Sequence, residues 1–218
     1  MKKVKIILLG SATVGKSSII NQYTLQTFNL ENTNSSASDK TKKTVEIKEE
    51  KLELEIWDTV GQEIYKNVNK IFLKNSDIVI LVYDITNNKS FEELQYWYNQ
   101  VKEFNLNSET IFAVVGNKND FNENKVVSKE KGEEFTKNLG INIFVEISAK
   151  IYKNVENLFD DVLFAYIDKK FNKEIEQFNE KNKIYETKTK INEGKLYTKS
   201  YLLDKSSFSQ KQKEECEC

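Results

Sequence analysis

Four short stretches of the chain carry residues that can handle a phosphorylated ligand. GSATVGKS, residues 10–17, matches G-x-x-x-x-G-K-[ST] where an apolar run, Ile6–Leu9, gives way to a helical stretch from Ser17 onward. Gly10 and Gly15 let the amides of this loop, through Ser11, Ala12, Thr13 and Val14 to Ser18, turn inward as a nest around phosphates. Lys16 supplies a point charge at the β/γ end, and the Ser17 hydroxyl can ligate Mg2+. WDTVGQE, residues 57–63, follows another apolar segment. Asp58, at a strand's carboxyl end facing the phosphate loop, can hold Mg2+ through water; Gly61 lets the backbone approach a γ-phosphate, and Gln62 can orient an attacking water. Alone, this heptapeptide reads as an Asp–Gly turn with a solvated glutamine. Beside the phosphate loop it reads as hydrolytic machinery.

NKND, residues 117–120, answers which base the ligand carries. Guanine presents N1–H and an amino group side by side, and the Asp120 carboxylate can accept from both. Adenine has an acceptor at N1 and would repel it, which disfavours an ATP-using enzyme. Asn117 can bond the ring edge and neighbouring loops, and the Lys118 stem can lie along the base. Ser148, Ala149 and Lys150 follow the last apolar run and can present backbone N–H groups to the guanine O6. Each short motif is weak alone. Four in this order, each at the carboxyl end of a strand, are not a coincidence of composition.

The elements that must position these loops are legible as apolar runs at Val4–Leu9, Leu52–Trp57, Ile78–Tyr83, Ile111–Val115 and Ile143–Ile147. Their continuity predicts strands buried on both faces of a parallel sheet. Phe91, Leu94, Trp97, Val101 and Phe104 step at helical spacing, as do Val155, Leu158, Phe159, Val162 and Tyr166. Strand alternating with helix predicts a doubly wound α/β domain over residues 1–170, its sheet mostly parallel. Thr44–Lys48 and Leu52–Trp57 add one antiparallel edge strand as a hairpin. Residues 171–218, rich in Asn, Lys, Glu and Ser, predict a flexible tail with an initial helical extension. No internal repeat is present.

Composition excludes several chemistries. The chain of 218 residues has no histidine, which rules out a His triad, a His general base and a His-ligated metal. A net charge of −1 gives no global field to recruit nucleic acid. The start, MKKVKIILLG, has only four apolar residues before its glycine, which is short for a signal peptide and fits a first strand. No apolar run approaches membrane-spanning length.

YDITNNKSFEEL (83–94), LEIWDTVGQE (54–63) and VVGNKND (114–120) give residues 1–170 a resemblance to small GTPases of the Ras superfamily, best to the Rab family, and the terminal Cys-X-Cys is similar to a Rab ending. The resemblance implies the P-loop small-GTPase fold and a monomeric switch in vesicle traffic that cycles between GDP and GTP with Mg2+. It implies that Phe28 packs on the guanine, and that hydrolysis is slow without an activating protein. It also implies an exchange factor, a GTPase-activating protein, a prenylation escort, a GDP-dissociation inhibitor and effectors as partners. The place of action would be the cytoplasmic face of an intracellular membrane, with a cytosolic pool.

The first switch region, ENTNSSASDKTKK (31–43), departs from that family. A gapless count from Ser17 puts Ser35 where the family has a Mg2+-binding Thr, with Thr33 or Ser36 serving if the loop is offset. Serine lacks the methyl that stiffens χ1, so GTP is expected to order this loop less firmly. The aromatic trio that reads out nucleotide state corresponds here to Lys40, Trp57 and Phe72. Lys40 either bars ordinary Rab partners or merely lies over Trp57. Ala12 stands where bulk can crowd the γ-phosphate, and Val60 where the family usually has Ala. With its first switch so altered, a nucleotide-holding pseudo-GTPase is the alternative.

The only two cysteines are Cys216 and Cys218. As a metal clip the pair supplies two ligands with no histidine to complete them, and Glu214, Glu215 and Glu217 disfavour a redox thiolate. The ending is not a C-a-a-X box. Beside a Rab-like body, the expectation is geranylgeranylation of both, since two lipids anchor stably where one does not.

Overall fold

The structure, a computed structural model, describes residues 2–28, 40–59, 73–105 and 109–192. The positions expected at Ser35 (with Thr33 and Ser36), Val60, Gly61, Gln62, Phe72, Cys216 and Cys218 lie outside them. Strand β1 (Lys2–Leu9) leads into helix α1 (Lys16–Leu25), then β2 (Lys40–Ile47), β3 (Glu50–Asp58) and β4 (Ile78–Asp84). Helices α2 (Asn88–Glu92) and α3 (Leu94–Phe104) precede β5 (Ile111–Asn117). A 3-10 segment (Asn119–Asn124), α4 (Lys129–Asn138), β6 (Ile143–Glu146) and α5 (Val155–Asn192) complete the order.

The six strands form one sheet in the order β2-β3-β1-β4-β5-β6, with β2 antiparallel to β3 and every other pair parallel. This is the doubly wound α/β sheet with one antiparallel edge that the sequence predicts. Strand β4, IVILVYD, is buried at all seven positions because both its faces are covered. Alternation along β1 feeds two cores. Val4, Ile6 and Leu8 pack with Ile19, Ile20 and Tyr23 of α1 and with Leu158, Phe159 and Val162 of α5. Ile7 and Leu9 face the other way, among Tyr83, Phe91, Leu94, Trp97 and Val101.

Two elements differ from the sequence reading, each for a physical reason. Strand β3 is not buried on both faces: Leu52, Leu54 and Ile56 are inside, while Glu53, Glu55 and Trp57 are half-exposed. Its outer face is a lattice of cross-strand charges, with Lys42 2.7 Å from Glu53 and Lys40 3.3 Å from Glu55. These pairs extend the hairpin back to Lys40, and its turn is made by Lys48 and Glu49, both left-handed at φ 48° and 65°. Helix α5 continues to Asn192, in keeping with the initial helical extension expected beyond residue 170. The stretch 155–192 contains neither Gly nor Pro and is rich in Lys and Glu, so it holds no strong helix breaker.

Packing divides the chain into two compact units, Met1–Asn172 and Lys173–Cys218. The sheet and the candidate site belong to the first. Among the described residues no helix is long and apolar enough to cross a membrane.

Candidate functional site

The chain leaves β1 toward β3 on one side of the sheet and β4 on the other, so the carboxyl end of β1 is a topological switch point, where open α/β sheets place ligands. The 10–17 loop occupies that end. Gly10 has φ 153°, and a Cβ there would lie 2.0 Å from the Val82 carbonyl oxygen. Gly15 has φ 97°, and a Cβ there would lie 2.3 Å from Asn117 Nδ2. Both glycines are therefore required twice over, by backbone angle and by close approach. Thr13 between them is also left-handed, at φ 64°.

Lys16 is buried, 3% exposed, with Nζ donating to the carbonyls of Gly10 at 3.1 Å and Ser11 at 2.9 Å. The ammonium is thus held across the loop's own chord. Val14 is buried, Ala12 and Thr13 are exposed, and Ser17 and Ser18 are half-buried in the first turn of α1. Ser11 Oγ donates to Glu93 Oε2 at 2.5 Å, joining the loop to the start of α3. Nothing in the motif pattern points to Glu93. Asp58 ends β3 opposite Leu8 of β1 and is 7% exposed, and the next residue, Thr59, donates from Oγ1 to the Leu8 carbonyl at 2.9 Å. Asp58 and Ser17 offer two hard oxygen donors at the phosphate loop. That set suits Mg2+, which takes few protein ligands and fills its sphere with phosphate and water.

The base-reading loops are tied together by one amide. Asn117, 1% exposed, donates from Nδ2 to the Val14 carbonyl at 2.8 Å, and its Oδ1 accepts from Ala149 N at 3.1 Å. It thereby joins the 10–17 loop to the 148–150 loop, while Gln22 ties α1 to the same loop by donating to the Ala149 carbonyl at 2.6 Å. With Ala149 N–H so engaged, the Lys150 N–H is the amide of this loop left for a ligand oxygen. Lys118 (φ 69°) reaches Asp84 Oδ2 at 2.7 Å, which holds its stem along the cavity wall. Burial pushes the Asp84 carboxyl up, but hydrogen bonds from Lys118 and Thr86 outweigh it and hold the carboxyl below its usual range.

These residues line a cavity of about 310 Å³, walled by Thr13, Gly15, Ser18, Phe28, Asn117, Lys118, Asp120, Phe121, Ala149 and Lys150. Ser148 Oγ donates to Asp120 Oδ1 at 2.6 Å, whereas buried Oδ2 accepts no hydrogen bond and has Lys150 Nζ 3.8 Å away. A buried carboxylate oxygen without a donor, in a cavity floored by a carboxyl-end loop, is built to receive one. Phe28 lines this cavity. Phe121, 44% exposed with Lys150 Nζ 5.0 Å from its ring centre, is a second aromatic wall that motif reading does not mark. A larger hollow of about 740 Å³ lies at the opposite end of the sheet, between α3, β5 and α5. It contains none of the motif residues, and chemistry rather than size assigns the site to the smaller cavity.

On the outer face of the hairpin, the ammonium groups of Lys40 and Lys5 each lie 5.4 Å from the Trp57 ring centre. Lys40 therefore lies over Trp57.

Comparison with known proteins agrees with this geometry. Residues 5–168 match the family profile described as Ras family. The chain is 34% identical to Ras-related protein Rab-10 of Caenorhabditis elegans over 165 residues, covering 76% of this chain and 81% of the relative. It is 36% identical to Ras-related protein Rab-8B of Homo sapiens and 35% identical to Rab-8A of Pongo abelii, each over 155 residues, covering 71% of this chain and 74% of the relative. With a G-x-x-x-x-G-K-S loop at the switch point, the Asp120 carboxylate in the cavity beside it and this likeness across the sheet, the chain belongs to the Ras superfamily of small GTPases, in its Rab family.

Proposed function

We propose that this protein is a membrane-anchored switch of vesicle traffic that binds GDP and GTP and hydrolyses GTP to GDP and phosphate. The observation that carries the nucleotide reading is the donor-free Asp120 Oδ2 in the cavity beside Phe28. A guanine there gives that oxygen its missing hydrogen bonds, with Phe28, Phe121 and the Lys118 stem against the base and the Lys150 amide at O6. The Gly10–Ser18 amides and Lys16 hold the phosphates, and as the γ-phosphate is transferred they offset the charge that develops, with no covalent step on the protein. Ser17, Asp58 and Ser35 would hold Mg2+, which would supply positive charge against that of the phosphates. Gln62 orients the attacking water, so intrinsic turnover is slow and an activating protein speeds it.

In this reading residues 1–170 switch and residues 171–218 tether, with Cys216 and Cys218 geranylgeranylated. A monomer then cycles between cytosol and the cytoplasmic face of an endomembrane, served by an exchange factor, a prenylation escort, a GDP-dissociation inhibitor and effectors.

The test is multiple-turnover phosphate release from GTP, with and without extract of the protein's own cells. Slow release that the extract accelerates supports the reading, and Gln62→Leu should lower the stimulated rate by on the order of 10²-fold or more. No release under either condition would replace the switch with a nucleotide-holding module.

A further inference from the structure

The loop that cradles the phosphates contains three residues with positive φ, and the chain supplies glycine at only two. Gly10 and Gly15 stand at 153° and 97°, and Thr13 at 64°. Thr13 faces solvent, so no neighbour forbids a side chain there. Its own backbone does. In the left-handed region the Cβ crowds the carbonyl of the same residue, and a β-branched side chain adds a second heavy atom to that contact. The other left-handed positions without glycine are Gln26, Lys48, Glu49, Asn75, Lys118, Tyr152 and Asn154, all unbranched at Cβ. Thr13 is the one β-branched residue in this conformation among the described residues.

The position of the strain matters. A left-handed residue inside the loop is what aims successive amides at one point, which makes the concavity a site for phosphate. Bound phosphates hold that turn in place through the amides, and the loop is free to relax once they leave. The strain at Thr13 therefore belongs to the nucleotide-bound loop and opposes it. We propose that Thr13 sets a loose grip on the phosphates, so that bound GDP leaves this protein faster than it would leave the same protein with glycine at 13. Strain of the size found at such positions corresponds to roughly 5- to 150-fold in dissociation. The proposal rests on the nucleotide reading above, and adds to it that release is partly intrinsic to this chain.

The experiment is dissociation of radiolabelled GDP from the full chain, chased with unlabelled GDP in the presence of Mg2+. Thr13→Gly should slow dissociation by that factor, and Thr13→Asn should slow it too, because asparagine tolerates the left-handed region. Either variant decides the matter if the other fails to fold. Thr13→Ala should fall between, and Thr13→Val, which keeps the branch and loses the hydroxyl, should remain as fast as the parent. This ordering follows conformational tolerance and not size or polarity, so a packing role for Thr13 would not produce it. Equal rates for Thr, Gly and Asn overturn the proposal and leave the nucleotide reading intact. Slowing by valine as strong as by glycine also overturns it, by assigning the effect to the hydroxyl. If neither the parent nor any variant retains GDP, the nucleotide reading fails and this proposal fails with it.

Discussion

Ser148 Oγ and Asp120 Oδ1 share a hydrogen bond of 2.6 Å that fixes the carboxylate while its other oxygen accepts none. That asymmetry makes base choice testable at one atom. Asp120→Asn replaces an acceptor by a donor, which suits xanthine, whose C2 carries a carbonyl. Competition binding should show preference moving from GTP to XTP by roughly two orders of magnitude or more. Unchanged preference would remove guanine from the reading.

The Lys118–Asp84 pair sets an acid limit. The Asp84 carboxyl is held below its unfolded value, so its contribution is complete above about pH 4 and is lost as pH falls through the folded value. Asp84→Asn should flatten the fall of the urea midpoint below about pH 4, and cost about 1–2 kcal/mol at neutral pH by leaving Lys118 without its carboxylate. Identical acid profiles for the two proteins would show that Asp84 is not the group responsible.

Gly132 tests the packing behind the site. It lies within α4, where glycine to alanine ordinarily stabilises a helix. Here a Cβ would come within 2.6 Å of Phe144 Cε2 and 2.8 Å of the Tyr83 hydroxyl. Gly132→Ala should therefore lower stability by about 1–3 kcal/mol, and adding Tyr83→Phe should restore part of the loss. A raised melting temperature in the single variant would mean that the helix shifts freely, contrary to this packing.

The terminal cysteines predict a distribution between phases. Replacing Cys216 and Cys218 by serine should move the protein from the membrane fraction to the soluble one, because each buried CH2 contributes only about 0.8 kcal/mol and both chains are needed. Mass measurement of the protein from its own cells should find two lipid adducts. A double variant that still sediments with membranes would place the anchor elsewhere.

The sheet and its loops were legible because period and punctuation agree. IVILVYD can only be a strand covered on both faces, and the motif loops fall where strands end. In strand β3, LELEIW holds enough apolar mass to look continuous, although its glutamates mark an outer face. Helix α5 runs on past its core-facing residues because nothing in that stretch, which lacks Gly and Pro, interrupts it. Glu93 and Phe121 were missed for a different reason. Their roles arise from distance across the fold, 82 residues from Ser11 in the case of Glu93, and no local pattern encodes that. Thr13 was read by its place in a motif, and its backbone angle is visible only in three dimensions.

The amide of Asn117 grips Val14 with one end and Ala149 with the other. The two halves of the ligand are thus mechanically connected through a single planar group that cannot stretch. Tugging the 148–150 loop outward rotates that group and drags on the carbonyl inside the phosphate cradle. Of that loop only Lys150 is exposed, so a pull there would reach the Val14 carbonyl through the buried Ala149 and Asn117.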